Sequence, residues 1–339
     1  LAGGLRWIAG DLDSRLQRLG GDEEAVLRTV DRQLREHPQA GGWQTLIAAE
    51  NALLVGSVEV ARKLLAAAEA AGEQDGLLMS YLALAEIQCE LLVGDARRAR
   101  DRAEEVRDRL AWLSDQARAA ADVACAFADL ALGRFGEAAM LLAGARELLT
   151  VRAWRSTADH LGVLAAAVAR AEAVSGGLSG EPAGRNPLSI SAHSLEQSWL
   201  AAARGEPERA AVLALTTARE LCPVAPLLSV EHLETALRML RPADDLVDAA
   251  TVDEIVRSWV SECRSHGRPR LLIEYAAAWL AGSGAGLRSA ARGYAELGRL
   301  PVAADVWVQA AHVFHAAGDT REAAACAVAA QQLVAEMGG

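Results

Sequence analysis

The sequence predicts an all-α chain, a superhelical solenoid of stacked antiparallel helix pairs, and three observations predict it. Ala and Leu dominate the 339 residues, and aromatic residues make up only 4%; strong helix formers of this kind leave little material for strands. Long windows repeat their apolar residues at helical spacing, and none alternates as a half-buried strand does. One pattern also recurs along the chain: Gly ends an amphipathic segment, a small residue stands five positions later, and another seven beyond that.

The recurring sets are Gly56/Ala61/Ala68, Gly94/Ala99/Val106, Gly133/Ala138/Ala145, Gly205/Ala210/Thr217, Gly298/Ala303/Ala310 and Gly318/Ala323/Ala330. Each residue type has a physical task. Gly lets the first helix of a pair stop in a left-handed conformation that other residues resist. Two small residues seven apart share one face of the second helix and let helix axes approach closely. Asp95 and Asp319, each directly after a Gly, supply N-caps for the helices that follow. One such pair cannot bury its apolar stripe alone, whereas stacked neighbours can.

Read in order, the predicted helices pair as 43–55 with 57–72, 76–93 with 95–111, and 114–132 with 134–149. A helix over 151–174 follows, then 190–204 with 206–221. The remaining helices are 226–240, 249–264, 270–282, 285–297, 300–316 and 319–336. Residues 175–189, SGGLSGEPAGRNPLS, are rich in Gly, Pro and Ser and predict an exposed loop. The plan is therefore N-terminal repeats over 1–174, the loop, and C-terminal repeats of the same solenoid over 190–339.

Charge and motif content narrow the function. The formal net charge is -11, and a phosphate-binding surface needs clustered Lys and Arg, so direct nucleic-acid contact is not expected. Lys63 is the only lysine, and it sits in ARKLL within a helix without a Gly-rich turn before it, so no P-loop is present. The patterns GxGxxG, HExxH and GxSxG do not occur. Cys89, Cys125, Cys222, Cys263 and Cys326 are scattered, without a CxxC, and predict buried free thiols in a reducing, cytoplasmic setting. No apolar run is long enough for a membrane span. His312 and His315 have the spacing of two metal ligands, but no third ligand stands near, so no metal site is expected. The acidic pairs Asp244-Asp245 and Glu104-Glu105 read as solvated charge, and no catalytic residue is expected.

The Gly-then-Ala spacing resembles tetratricopeptide repeats, with the last unit, Ala311–Phe314–Gly318–Ala323–Ala330, matching best; the period here is longer than in that family. In tetratricopeptide repeats the first helix of each pair lines a concave groove. Carried over by position, about 13 and 6 residues before each Gly, the resemblance implies groove residues Trp43, Glu50, Tyr81, Gln88, Phe127, Trp199, Arg292 and His312. Aromatic groups beside amide and charged ones suit a small polar ligand with apolar faces, such as a sugar. Packing between helices is the plainer reading for most of the eight tryptophans.

From about residue 190 onward the chain also resembles the helical region of large ATP-binding LuxR-type transcriptional regulators of actinobacteria, the MalT-like class. SWLAAARGEPERAA, SVEHLETALRMLRPADDL and the stretch from RLLIEYAAAWLAGSGAG to the end carry the likeness. Its closing pattern is matched by Tyr294, Gly298, Ala303-Ala304, Phe314, Gly318, Ala323 and Leu333; where the family has a His-Ala pair, Tyr275-Ala276 stands here. The resemblance implies an N-terminal ATPase module and a C-terminal helix-turn-helix beyond this chain, with ATP bound only in the former and no cofactor in this segment. It implies a sensor that takes an effector, such as an oligosaccharide, and acts on other domains or copies of the regulator. The alternative is a protein-interaction or self-association scaffold without a small-molecule ligand.

Overall fold

A computed structural model describes residues 41–54, 56–72, 76–111, 115–148, 187–242, 247, 249–259 and 261–338. The described residues form fifteen helices and no strand. In chain order they are α1 (Gly41–Leu54), α2 (Val58–Gly72), α3 (Gly76–Val93), α4 (Ala96–Ala111), α5 (Asp115–Leu132) and α6 (Phe135–Leu148). Then come α7 (Pro187–Ala203), α8 (Pro207–Leu221), α9 (Pro226–Met239), α10 (Ala249–Arg257) and α11 (Ser261–Ser265). The last four are α12 (Gly267–Leu280), α13 (Gly284–Glu296), α14 (Leu300–Ala316) and α15 (Thr320–Glu336). The predicted helix over 151–174 and most of the predicted loop lie outside the described residues. The loop expectation yields at its end, because Pro187 opens α7: proline's fixed φ suits the first helical turn.

The six glycines of the repeat pattern behave as expected. Gly56, Gly94, Gly133, Gly205, Gly298 and Gly318 all have φ between 74 and 101°. Behind each, the next backbone N–H reaches back to close the helix end, as Asp95 does to the Glu90 carbonyl and Asp319 to the Phe314 carbonyl. The carboxylate Oδ1 of Asp95 accepts from the Arg98 N–H, and that of Asp319 from the Glu322 N–H. Every small residue seven apart in those sets is buried, which is what close approach of helix axes requires.

One predicted helix breaks in two. The 249–264 span divides into α10 and α11 because Trp259 turns inward and its Nε1 donates to Ser229 Oγ at 2.7 Å. The Arg264 guanidinium then collects the carbonyls released at the break, those of Val256, Arg257 and Trp259, at 2.9–3.1 Å. All five cysteines are buried free thiols.

Helices adjacent in sequence pack on one another: α1 on α2, α3 on α4, α5 on α6, α7 on α8 and α8 on α9, and the series α12 to α15 in turn. Helices two apart also touch, as α1 does α3 and α3 does α5. The two halves of the chain meet as well. α9 contacts α1 and α3, α12 contacts α3, and α14 contacts α5. The largest apolar cluster accordingly runs from Leu46, Leu53 and Leu82 of the first half to Leu233, Trp279 and Val306 of the second. Two smaller clusters serve α3 to α6 alone.

Close approach of the halves is permitted by glycine turns. A Cβ on Gly94 would stand 2.6 Å from the Arg268 Cβ and 3.4 Å from its Cα. Gly298 meets Leu132 and Arg97, and the Gly133 turn meets Met337.

Candidate functional site

A charged cleft opens where α2, α3 and α4 meet. Its volume is about 530 Å³, and three guanidiniums and five carboxylates line it over a floor that includes Leu65, Ala66 and Cys89. α4 supplies the charge because its sequence, ARRARDRAEEVRDRLA, buries only Ala96, Ala99, Ala103 and Val106 among its described side chains and leaves most of the rest to water. At one end Arg62 Nη2 donates to both oxygens of Glu90 at 3.3 Å, and Arg98 stands 3.6 Å from the same carboxylate. At the other, Arg102 bridges Glu86 of α3 and Glu105 of α4, each at 2.8 Å. Burial pushes the Glu86 carboxyl above its ordinary range; Arg102 opposes this, while Glu69 and Glu105 reinforce it. Burial raises the Cys89 thiol to about 11, so the floor of the cleft carries no reactive thiolate at neutral pH. The arrangement can exchange its internal ion pairs for the ionised or hydroxyl groups of a small ligand.

α4 is tied on its other side to α5. Arg100 Nε donates to Asp129 Oδ1 at 2.6 Å, with the Asp129 side chain fully shielded, and Arg107 Nε donates to Asp122 Oδ1 at 2.8 Å.

A second polar centre is largely internal. Glu234 of α9 receives Arg268 Nε and Nη2 at 3.1 and 2.9 Å and Arg299 Nη2 at 3.1 Å, all three side chains being buried. Arg268 also pairs with Glu231 at 2.5 Å. Burial alone would push Glu234 up, but the two guanidiniums outweigh it and hold its carboxyl down at about 2. Beside it, Tyr275 donates to Gln309 Oε1 at 2.8 Å, and Gln309 Nε2 donates to the carbonyls of Leu237 and Leu240 at 2.8 and 2.9 Å. The carbonyls at the end of α9 thus find a partner on α14, 69 and 72 residues away. This centre joins helices and reaches solvent at Glu231, whose side chain is 27% exposed.

Ser191 Oγ lies 2.9 Å from His232 Nε2, a contact with the form of a nucleophile–base pair and closer than the 3.5 Å between the neighbours Ser265 Oγ and His266 Nδ1. Ser191 and His232 are buried, and His232 Nδ1 has no hydrogen-bond partner. The pair has neither access nor the third group that orients a catalytic imidazole. It is a packing contact between α7 and α9.

The residues expected at a groove are distributed unevenly. Trp43 and Tyr81 fall on α1 and α3, but their side chains are outside the described set. Glu50 is exposed on α1 and Gln88 is partly exposed on α3. Arg292 is exposed on α13 with its guanidinium 5.9 Å from the Trp307 ring, and His312 is exposed on α14. Among the described side chains of this set, only Phe127 and Trp199 come together: Phe127 packs on the cluster of Leu195, Trp199 and Leu200. The Arg238 guanidinium lies 5.5 Å from the Trp199 ring and pairs with Asp305 at 2.8 Å. Furthermore, α1, α3 and α5, the helices expected to line an open groove, are in contact with the chain's own α9, α12 and α14. The charged cleft on α2–α4 lies outside the expected groove positions apart from its neighbour Gln88; its sequence signal is the dense alternation of Arg with Asp and Glu over 97–109.

No protein-family model matches the chain, and no curated protein and no solved structure matches it either.

Proposed function

We propose that this chain is the ligand-sensing helical-repeat region of a LuxR-type, MalT-like transcriptional regulator. In this reading it is a solenoid of antiparallel helix pairs, resides in the cytoplasm, takes a small polar effector, and thereby controls assembly or DNA binding by other domains. One observation carries the sensing part: the cleft of about 530 Å³ on α2–α4, lined by charges of both signs above an apolar floor. That volume lies in the range of small-ligand pockets. The glycine-ended helix pairs support the repeat part. The lining favours an effector with ionised groups as well as hydroxyls, so a charged or amino sugar fits it better than a neutral oligosaccharide.

The test is intrinsic tryptophan fluorescence and thermal shift, with glucosamine, glucose 6-phosphate, maltotriose, L-arginine and spermidine as probes. The expected result is a saturable change with a matching rise in Tm for one probe class, lost in Glu86→Gln and Arg102→Ala. A flat response to every probe would overturn the sensor reading and leave the alternative, a protein-interaction or self-association scaffold.

A further inference from the structure

The α5–α6 hairpin is attached differently to its two sides. Toward α4 it is held by the Arg100–Asp129 and Arg107–Asp122 ion pairs and by a shared small-residue core containing Ala99, Ala103, Ala121 and Cys125. Toward the second half of the chain it is held by separate, local contacts. Phe127 packs on Leu195, Trp199 and Leu200, Leu132 meets Gly298, and the Gly133 turn meets Met337. Its own core, around Ala119, Ala126, Ala138 and Leu142, is distinct from the cluster that unites the two halves. A unit with its own core and few long-range attachments is the kind of segment that opens below the global unfolding free energy.

The same helix that offers Arg98, Asp101, Arg102 and Glu105 to the cleft offers Arg100 and Arg107 to α5. These two sets occupy different faces of α4. A shift of α4 that follows from re-pairing Arg102 in the cleft is therefore transmitted to α5 by two short, charge-assisted bonds.

We infer that α4 is a relay: occupation of the charged cleft changes the docking of the α5–α6 hairpin on the second half, with the Phe127 contact as the switched element. This rests on the sensor reading for what fills the cleft, but the mechanical relay is testable without a ligand. A population shift of this kind requires that the hairpin have a docked and a released state that the cleft biases unequally.

The experiment is hydrogen exchange read by mass spectrometry on the whole chain. In the wild type, amides of α5 and α6 are expected to exchange together, at least tenfold faster than those of α12–α14. Exchange of α5–α6 only in step with α12–α14 would overturn the proposal, and this measurement does not depend on any variant folding. Arg102→Ala, which breaks the α3–α4 bridge in the cleft, is expected to speed α5–α6 exchange threefold or more. In the Asp122→Asn/Asp129→Asn background the same substitution should have little effect; an unchanged effect there would mean that α4 does not relay through these pairs. Acrylamide quenching that rises in Arg102→Ala, but not in Arg102→Ala/Trp199→Phe, would place the release at the Phe127 contact. A positive relay with a flat probe panel would sink the sensor reading alone, whereas a bound probe without a change in α5–α6 exchange would sink the relay alone.

Discussion

His232 makes stability depend on pH in a window that no other strongly shifted group of the internal charge cluster shares. It is fully buried, with Ser191 on Nε2 and no partner on Nδ1. Burial lowers its pKa from 6.5 to about 4, with Glu231 opposing. The sign follows from proton uptake. As pH falls through 6.5 the unfolded chain binds a proton that the folded chain refuses until about pH 4, so folding stability is complete above 6.5 and declines below it. With 1.36 kcal/mol per pH unit, the loss between pH 7 and pH 5 is about 2 kcal/mol, and the full loss by pH 4 is about 3 kcal/mol. Glu234 has the opposite history. Its carboxyl is depressed from 4.5 to about 2, so its contribution is present above 4.5 and is lost only as pH falls toward 2. The pH 7 to 5 interval lies clear of Glu234; Glu50, whose carboxyl desolvation raises from 4.5 to about 7, titrates there with the opposite sign, and comparison with a His232 variant cancels its contribution. Urea unfolding at pH 7, 6 and 5 would compare the wild type with His232→Gln, which keeps a polar atom for Ser191. The wild type is expected to lose about 2 kcal/mol more than the variant across the interval. Equal losses would refute the reasoning and mean that His232 takes up its proton in the folded chain as readily as in the unfolded one.

Glu234→Gln leaves Arg268 and Arg299 buried without their shared carboxylate, and denaturant midpoints should report a loss of about 3–5 kcal/mol. Gly94→Ala places a side chain at φ 101° and 2.6 Å from the Arg268 Cβ, so a loss of at least about 2 kcal/mol is expected in the same assay; Gly205→Ala, strained in φ but with open space around it, should cost less. Trp259→Phe removes the 2.7 Å bond to Ser229 and should lower stability by roughly 1–2 kcal/mol, the cost of a buried hydroxyl losing a donor.

Helix positions were readable because their causes are local. Gly94, Asp95, Ala99 and Val106 lie within thirteen positions of one another, and their spacing alone implies a left-handed stop, a cap and a close-packed face; the structure has all three. The α10–α11 break was not readable, because it depends on Ser229 receiving Trp259 from 30 residues away. The groove positions were assigned from repeat phase, which specifies a face of a helix but not what covers that face. Phe127 and Trp199 meet in a packed apolar cluster.

The amino-acid sequence by itself determined that the chain is helical, where most of its helices stop, which small residues are buried, and that its cysteines are unpaired. Propensity, apolar period and the φ freedom of glycine act over a few residues and leave their mark in the order of residue types. Only the tertiary structure decided that α9, α12 and α14 lie against α1, α3 and α5, that Glu234 gathers Arg268 and Arg299 from 34 and 65 positions away, and that a charged cleft opens on α2–α4. Those pairings arise from which apolar faces and charges meet when helices close on one another, and any of the many Arg and Glu residues of this chain would have satisfied the sequence pattern equally well.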